Sequence, residues 1–412
     1  MKVSINSSIT PILLLQGPVG PFFSILQRKL MSNGYPVTRI SFNAADRLFT
    51  SKDLCKIDFS GNLKDWEIQF QKYLDTKKIK CVILFGADRP IHQIARNICL
   101  KNDIKVFCLE EGYFRPGFIT FELGGNNASS PLANKLPPSD FINENDKLEF
   151  KGAKNFSNSI FKKKSFYGFM YYFFRECFTR KAQRQLYHKR INLLTQAFFW
   201  INNYLMWLKN FNADKRLFKK LSKKQFFMVA LQLDSDMQTR FHSNGWKKSD
   251  IIKEVAESFA NASNKSSYLV FKVHPLERGH MAHNKLITTI SKNFDISHRV
   301  FVLQTGSIGH WLKYASGVIA VNSTSCFSAI YHGCKILLLG NAIFDHECIV
   351  TKYEKKSDLD SFWSKEYFYD KSFSHNYLGW VKQNACLKGD FYERELINIA
   401  CEEIILKLST SY

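Results

Sequence analysis

The sequence predicts an α/β protein made of two Rossmann-like domains, GT-B-like in plan, with a helical basic insertion between them. Strand and helix patterns alternate over the first hundred residues, and the same rhythm restarts near residue 222. The stretch between them has a helical pattern rich in basic and aromatic residues. A chain of 412 residues, 45% of them apolar, is long enough to bury two cores.

The chain divides into four expected segments. An N-terminal Rossmann-like domain is expected at 1–150, and the helical segment at 151–221. A C-terminal Rossmann-like domain follows at 222–385, and a closing helix at 386–412.

In the first half, short apolar runs predict parallel strands that alternate with helices. The expected strands are 11–15, 37–42, 81–85 and 104–109, and the expected helices are 21–34, 63–74 and 90–100. Residues 113–150, rich in Gly, Pro, Asn and Ser, predict a long surface loop.

In the second half the pattern repeats. The expected strands are 226–231, 268–273, 300–303, 317–321 and 335–339, and the expected helices are 249–262, 309–314, 325–331 and 391–408. Ligands of open α/β sheets bind beyond the carboxyl ends of the strands, so the residues that follow each strand are the functional candidates.

Charge is concentrated in the middle of the chain. Of a net charge of +22, residues 151–220 carry +14, from 16 Lys and Arg against two acidic residues, with aromatic residues interleaved. This pattern favours an anionic membrane surface as partner. The alternatives are a solvated helix pair whose aromatics pack on the core, and nucleic acid, which the strand-end carboxylates would repel. We expect no signal peptide and no spanning helix.

The ten cysteines are scattered, without a Cys-x-x-Cys pair or zinc-ligand spacing to a histidine. This predicts buried free thiols in a reducing compartment and no zinc site.

Two candidate sites follow strands of the first half. Gln16, Gly17 and Gly20 lie at a strand-to-helix turn, where glycines either let a ligand approach the backbone or simply make a tight turn. Glu110 and Glu111 end a later strand, four to five residues before Arg115. One of these two carboxylates is expected to enter the cleft, and which of them does so stays open. The alternative is that both lie in a solvated loop.

Two further sites follow strands of the second half. Gln232, Asp236 and Arg240 follow its first strand; a carboxylate there, opposite Glu110 or Glu111, suits sugar transfer with retention. The alternative is that Asp234 or Asp236 caps a helix, and Asp234-x-Asp236 is interpreted as a non-metal pattern. Lys272 and His274, with the polar run at the start of a helix, predict a nucleotide-phosphate site; that run comprises Asn322, Ser323, Thr324 and Ser325.

These motifs, in this order, resemble the capsule polysaccharide biosynthesis family of the KpsS/LipB type. The resemblance covers about residues 11–350 and rests on 15–23, 110–116, Gln232-x-x-x-Asp236, Lys272-x-His274-Pro275 and Asn322-Ser323-Thr324. It implies a retaining β-Kdo transferase that takes Kdo (3-deoxy-D-manno-octulosonic acid) from CMP-β-Kdo. The acceptor would be (lyso)phosphatidylglycerol, on which the enzyme starts the poly-Kdo linker of the capsule.

The resemblance also implies a setting. The protein would be cytoplasmic and peripheral on the anionic inner membrane of a Gram-negative bacterium, with the acceptor bound by domain 1–150 and the nucleotide sugar by domain 222–385. A KpsC-type transferase would extend the linker, and a capsule ABC exporter would move the product. No nucleic acid, no metal and no cofactor other than the CMP-Kdo donor would be involved.

Roles carried over from the family fall on residues of this sequence. Asp236 would be the nucleophile and Glu111 the acid/base. Lys272, His274, Ser323 and Thr324 would hold the CMP phosphate, and Arg115 or Arg240 would pair with the Kdo carboxylate. Cys326 stands where the family pattern leads us to expect glycine, which narrows the approach to the phosphate site.

Two other functions stay open at this stage. One is a different cytidine-nucleotide transferase, such as a sialyl or polyol-phosphate transferase. The other is a non-catalytic scaffold of the capsule assembly and export complex, in which replacing Asp236 or Glu111 would leave function intact.

Overall fold

A computed structural model of the chain describes residues 10–143, 157–180, 183, 186, 193–233, 237–278 and 281–411. The described residues form two compact units, each built on its own sheet. The first unit takes its residues from 1–131, 145–193 and 381–412, and the second from 132–144 and 194–380. The predicted fold class, two Rossmann-like α/β units, is confirmed by their sheet topology.

The first unit contains a seven-stranded sheet in the order β13-β6-β5-β4-β1-β2-β3. Its strands are β1 (Ile12–Leu14), β2 (Val37–Ser41), β3 (Lys56–Asp58), β4 (Cys81–Phe85), β5 (Lys105–Glu111), β6 (Phe118–Leu123) and β13 (Cys386–Lys388). Its helices are α1 (Phe22–Ser32), α2 (Ala44–Leu48), α3 (Leu63–Lys77), α4 (Pro90–Lys101), α5 (Ser157–Phe178) and α14 (Arg394–Ser411). Strands β1 to β5 are parallel, whereas β6 and β13 pair antiparallel.

Helices cover both faces of this sheet because its central strands are apolar on both sides. Ile12 and Leu14 of β1 pack in one cluster with α1 and α14, and Leu13 packs in another with α3 and α4. The alternation recurs in β4 and β5. Both clusters are buried, and the sheet therefore lies between two helical layers.

The second unit contains an entirely parallel six-stranded sheet in the order β12-β11-β10-β7-β8-β9. Its strands are β7 (Phe226–Ala230), β8 (Tyr268–Lys272), β9 (Val300–Leu303), β10 (Gly317–Ala320), β11 (Lys335–Leu338) and β12 (Thr351–Lys352). Its helices are α6 (Leu193–Leu221), α7 (Met237–His242), α8 (Lys248–Ala262), α9 (Met281–Asn293), α10 (Ile308–Leu312), α11 (Cys326–His332) and α12 (Lys356–Phe362). Helix α13 (Lys371–Ala385) leads back into the first unit.

One sequence expectation is wrong in the region 113–150. Residues 118–123 form β6, a largely buried strand that pairs with β5, where a surface loop was expected. The flanking glycines and prolines hid its short apolar run, and β5 itself continues through Glu110 and Glu111 because β6 supplies the partner. The compact units also differ from the four consecutive segments expected, since α5 and the chain end join the first sheet's unit.

The basic segment forms two long helices, α5 and α6, within the part of the chain that the structure describes. No helix of that part combines the length and apolarity needed to cross a bilayer. All ten cysteines are free, and seven of them are buried, with Cys55, Cys177 and Cys348 exposed.

Candidate functional site

The first polar cluster occupies the point where the strand order of the first sheet reverses, between β1 and β4. Gln16 follows β1, is buried, and accepts a hydrogen bond of 2.8 Å from Arg89, which follows β4. Its amide donates to the hydroxyl of Tyr171 on α5 at 3.0 Å and to Asp46 at 3.4 Å. The Tyr171 hydroxyl donates to Asp46 at 3.0 Å and accepts from Asn43 at 2.8 Å.

Asp46 is the buried carboxylate of this cluster. It also accepts from the backbone N–H of Phe42 and from the side chain of Asn43, both at 2.9 Å. Burial raises the pKa of Asp46, while the nearby Arg39 guanidinium and these hydrogen bonds pull that pKa down. The side-chain amide of Gln16 is thus fully hydrogen-bonded to protein side chains at this switch point, and Gln16 links β1 to the segment after β4 and to α5.

The glycine turn after β1 is shaped by packing. A side chain at Gly17 would lie 2.7 Å from the ring of Phe23, and one at Gly20 would lie 2.8 Å from the ring of Tyr167. Gly20 also has a φ of +106°, which L side chains rarely adopt. The tight-turn alternative accounts for both glycines within this unit.

Glu111 is the centre of a charged cluster at the end of β5. Its carboxylate accepts a hydrogen bond of 2.6 Å from Arg115 and one of 3.3 Å from the Tyr392 hydroxyl. It also forms an ion pair with Lys164 of α5. Burial raises the pKa of Glu111, but Lys164 and Arg115 outweigh it and lower that pKa to about 2. Glu111 is therefore a firmly ionised carboxylate with two counter-ions.

The strand alternation separates the two adjacent carboxylates. Glu111 lies on the same face as Phe107 and Leu109, and Glu110 lies on the opposite face with Cys108. Gly112, which follows, admits no side chain because a Cβ would lie 2.1 Å from the carbonyl oxygen of Phe118. The tight contact between β5 and β6 thus fixes where Glu111 projects.

The second polar cluster lies where the strand order of the second sheet reverses, between β7 and β10. Gln232, after β7, donates to the side chain of Asn322 at 2.8 Å and accepts from its backbone N–H at 3.0 Å. It also donates to Thr239 at 3.2 Å. These two strand ends therefore meet, whereas the sequence pattern groups residues 322–325 with Lys272 and His274.

Three hydroxyl residues follow Asn322 and are partly exposed. Ser323 and Ser325 share a hydrogen bond of 2.8 Å between their hydroxyls, and Thr324 lies between them. Helix α11 starts directly after them, with Cys326 fully buried beneath, where burial raises the pKa of the thiol to about 12. Cys326 is therefore a neutral packing residue at the position where glycine was expected.

Lys272 ends β8 and is buried. Its ammonium donates to the carbonyl oxygen of Gln304 at 3.3 Å, a carbonyl that also accepts from Arg278 at 2.5 Å. Burial lowers the pKa of Lys272 to about 8; Arg278 adds to that shift and Asp214 opposes it. Asp214, on α6, accepts from the backbone N–H groups of Gln304 and Thr305 at 3.1 and 2.7 Å.

His274, predicted to bind the donor phosphate, caps a short turn in the structure. Its Nδ1 accepts a hydrogen bond of 3.2 Å from the backbone N–H of Leu276, capping the short 3₁₀ turn Pro275–Glu277. This contact fixes the ring orientation at the end of β8.

Asp236 and Asp234 lie outside the described residues. Arg240 is exposed on α7, next to that segment. Within the ranges the structure describes, no three His, Cys, Asp or Glu side chains gather as metal ligands do.

Several members of these clusters carry no sequence signal. Tyr171 lies 155 residues from Gln16, Lys164 lies 53 residues from Glu111, and Tyr392 lies 281 residues from it. Asp214 and Arg278 likewise stand outside the predicted motifs. The density of basic and aromatic residues at 157–178 marked α5, but not which of them would turn inward.

Two doubly wound units, the second with partly exposed hydroxyls at its switch point, define a class of α/β proteins suited to nucleotide-linked ligands. The chain belongs to the capsule polysaccharide biosynthesis protein family, whose model matches residues 80–392. The family expected from the motifs is therefore confirmed.

Individual relatives agree. The capsule polysaccharide export protein KpsS of Escherichia coli is 29% identical over 92% of this chain and 96% of its own length. The capsule polysaccharide modification protein LipB of Neisseria meningitidis serogroup A is 30% identical over 93% and 92%. Among solved structures, the KpsC beta Kdo 2,7 transferase of Thermosulfurimonas dismutans covers 97% of this chain and 99% of its own, with 13% identity and a TM-score of 0.44.

Proposed function

We propose that the protein is a retaining glycosyltransferase that moves Kdo from CMP-β-Kdo to (lyso)phosphatidylglycerol and so starts the poly-Kdo linker of the capsule. The observation that carries the proposal is the array at the second switch point, where Gln232 and Asn322 hold a partly exposed run of hydroxyls. Family membership supplies the capsule context. The motif resemblance supplies the identities of the donor and the acceptor.

The chemistry takes two displacements. In the first, the Asp236 carboxylate attacks the anomeric carbon of Kdo; a carbon–oxygen bond to Asp236 forms, and the bond to the phosphate oxygen of CMP breaks. In the second, the acceptor hydroxyl attacks the same carbon, Glu111 takes its proton, and the bond to Asp236 breaks. Two inversions give net retention, and Lys272 with the Ser323–Ser325 hydroxyls stabilises the departing CMP phosphate.

Glu111 needs a change of partners to act as a base. A carboxyl with a pKa of about 2 is a weak proton acceptor near neutral pH. Arg115 and Lys164 are both about half exposed, at 51% and 44% of their side chains, and so can turn toward an anionic substrate. When the Kdo carboxylate or the lipid phosphate takes these cations, the pKa of Glu111 rises and its basicity increases.

Intact-mass measurement after incubation with CMP-Kdo alone tests the first displacement. We expect a Kdo-sized adduct on the native chain, none on Asp236→Asn, and an unchanged adduct on the control Asp250→Asn, whose side chain is exposed on α8. CMP release on adding lysophosphatidylglycerol, without any adduct, would keep the enzyme but remove Asp236 as nucleophile.

Failure of both adduct and CMP release would favour a non-catalytic role in the capsule complex. The same assay with CMP-linked sialic acid as donor separates the Kdo transferase from a sialyl transferase. If the proposal holds, the product is the substrate of a KpsC-type extending transferase and then of the capsule exporter.

A further inference from the structure

Helix α6 has one face that is fixed to the second unit. Asn203 donates to the carbonyl oxygen of Pro275 at 2.8 Å, and Asp214 binds the backbone at 304–305. Nearer its end, the ring of Phe218 packs on Trp311 with centroids 5.1 Å apart, and Leu221 is fully buried. These four residues are spaced by eleven, four and three positions, and at about 100° per residue they lie on one side of the helix.

The opposite face of α6 is apolar and exposed over its first half. At about 100° per residue, Ile201 and Leu205 point nearly opposite to Asn203, and Phe198 and Leu208 extend the same stripe. The exposed fractions of these four side chains are 65% for Phe198, 63% for Ile201, 53% for Leu205 and 49% for Leu208. Tyr204, 61% exposed, flanks the stripe.

The second half of the same face is basic. Lys209, Arg216 and Lys219 are exposed there and continue the line of the apolar stripe. Asp214 is the sole acidic residue in the sequence of α6, and it is buried on the fixed side. The outward face thus carries apolar side chains along about 15 Å of helix, followed by exposed basic residues.

We infer that the outward face of α6 is a docking surface for an anionic lipid bilayer, with the Phe198–Leu208 stripe entering the acyl boundary and Lys209, Arg216 and Lys219 meeting the headgroups. A large apolar stripe is costly to expose to water, and its extension by basic residues matches a surface that is apolar inside and anionic outside. A protein partner would need to supply both properties along one helix.

Helix α5 shows why the inference is confined to α6. Its Tyr171 belongs to the buried cluster around Gln16, and its Lys163 and Lys164 pair with Glu393 and Glu111. The exposed aromatic residues of α5 point to different sides of the helix at about 100° per residue and form no single stripe like that of α6; they are Phe161, Phe166, Phe169 and Phe178, 48–70% exposed.

Docking through α6 would bear directly on the candidate donor site. Asn203 and Asp214 attach α6 to the segments that follow β8 and β9, where His274 and the Lys272–Gln304 contact lie. Resting on the proposed function, the inference places the lipid surface that carries the acceptor at the helix that supports the phosphate site.

Flotation with vesicles tests the surface, with phosphatidylglycerol–phosphatidylcholine vesicles compared with pure phosphatidylcholine. We expect the double variant Ile201→Asp/Leu205→Asp to bind at least tenfold more weakly. The triple variant Lys209→Gln/Arg216→Gln/Lys219→Gln should lose at least tenfold on anionic vesicles only, since each basic residue contributes up to about fivefold. The controls Ile68→Asp and Leu100→Asp, exposed on α3 and α4, should bind like the native chain.

Two outcomes would overturn the inference. One is unchanged flotation of the double variant, with an unfolding midpoint equal to that of the native chain. The other is a native dimer, seen by light scattering without lipid, that the double variant dissociates, which would assign the stripe to a second copy of the chain.

Activity separates this inference from the proposed transferase. CMP release from CMP-Kdo should survive in the double variant with a monomeric short-chain lysolipid acceptor and fall with acceptor embedded in vesicles. Absence of CMP release by the native chain with either acceptor would contradict the proposed transferase activity. The flotation result would still decide whether α6 binds the bilayer.

Discussion

The two sheets place a glutamine at the same topological position, but the two glutamines serve different ends. Gln16 is buried in the first unit and is saturated by Arg89 and Tyr171. Gln232 is partly exposed in the second unit and holds Asn322 beside partly exposed serines. The same position of the fold can therefore be filled by hydrogen bonds within the protein or left accessible to a ligand. The neighbouring side chains determine which of the two occurs.

The largest expected effect concerns the closed switch point. Asp46→Ala removes the acceptor of Tyr171, Asn43 and the Phe42 N–H, so their buried donors lose their partner. We expect the free energy of unfolding to fall by about 3–5 kcal/mol, measured by denaturant titration. The control Asp53→Ala breaks an exposed ion pair with Arg28 and should cost below about 1 kcal/mol. Equal losses in the two variants would contradict the structural role.

The open switch point should show the reverse pattern. Ser323→Ala/Ser325→Ala removes two hydroxyls that bond to each other. The Ser325 backbone N–H also loses its 3.3 Å bond to the Ser323 hydroxyl, but it lies in a partly exposed segment, so the loss should cost little. We expect kcat/KM for the CMP-sugar donor to fall about 100-fold, with unfolding free energy changed by less than about 1 kcal/mol. Ser266→Ala, at an exposed turn, serves as control. Full activity of the double variant would show that these hydroxyls do not contribute to donor binding.

The pH dependence of donor binding above pH 8 tests the second unit further. Lys272 has a pKa of about 8, so its charge is present below pH 8 and is lost above it. We expect KM for the donor to rise above pH 8, by up to about tenfold per pH unit. Lys272→Arg keeps its charge throughout this range, so its profile should stay flat. The same rise of KM in both proteins would assign the titration to another group.

The smallest effect is expected at Glu111. Its folded-state pKa of about 2 lies below the ordinary value of 4.5, so its ion pairs stabilise the fold above pH 4.5 and are lost as pH falls toward 2. Lys164→Gln should lower unfolding free energy at pH 7 by about 0.5–1 kcal/mol, because the pair is partly exposed. Its stability should then decline less between pH 4.5 and 2 than that of the native chain. Parallel declines would show that Lys164 does not hold Glu111.

The strands were largely predictable because each is a short apolar run closed by turn residues. Cys81–Phe85 and Val300–Leu303 were predicted to the residue, and the candidates at 232 and 322 were correctly placed beyond strands that prove adjacent. Four strands were missed. Three of them, β3, β12 and β13, are only two or three residues long, and β13 lies where the closing helix 386–412 was expected. The fourth is β6, whose six residues stand among turn formers and pair with β5 and β13. The partners of Gln16 and Glu111 come from α5 and the chain end, contacts that local pattern does not encode.

The return of the chain to the first unit has a consequence for synthesis. Strand β13 and helix α14 pair and pack with elements made much earlier in synthesis, with Lys388 opposite Phe118 and Lys29 bonded to Glu402. A ribosome adding about 5–20 residues per second needs ~10–50 s to pass from residue 131 to residue 386, and the second unit is fully made in that interval. The nascent first unit must therefore wait, with the β6 edge and the α1 surface uncovered, until the last thirty residues emerge. A fusion that delays or obstructs the carboxyl terminus should lower the yield of folded protein more than one at the amino terminus.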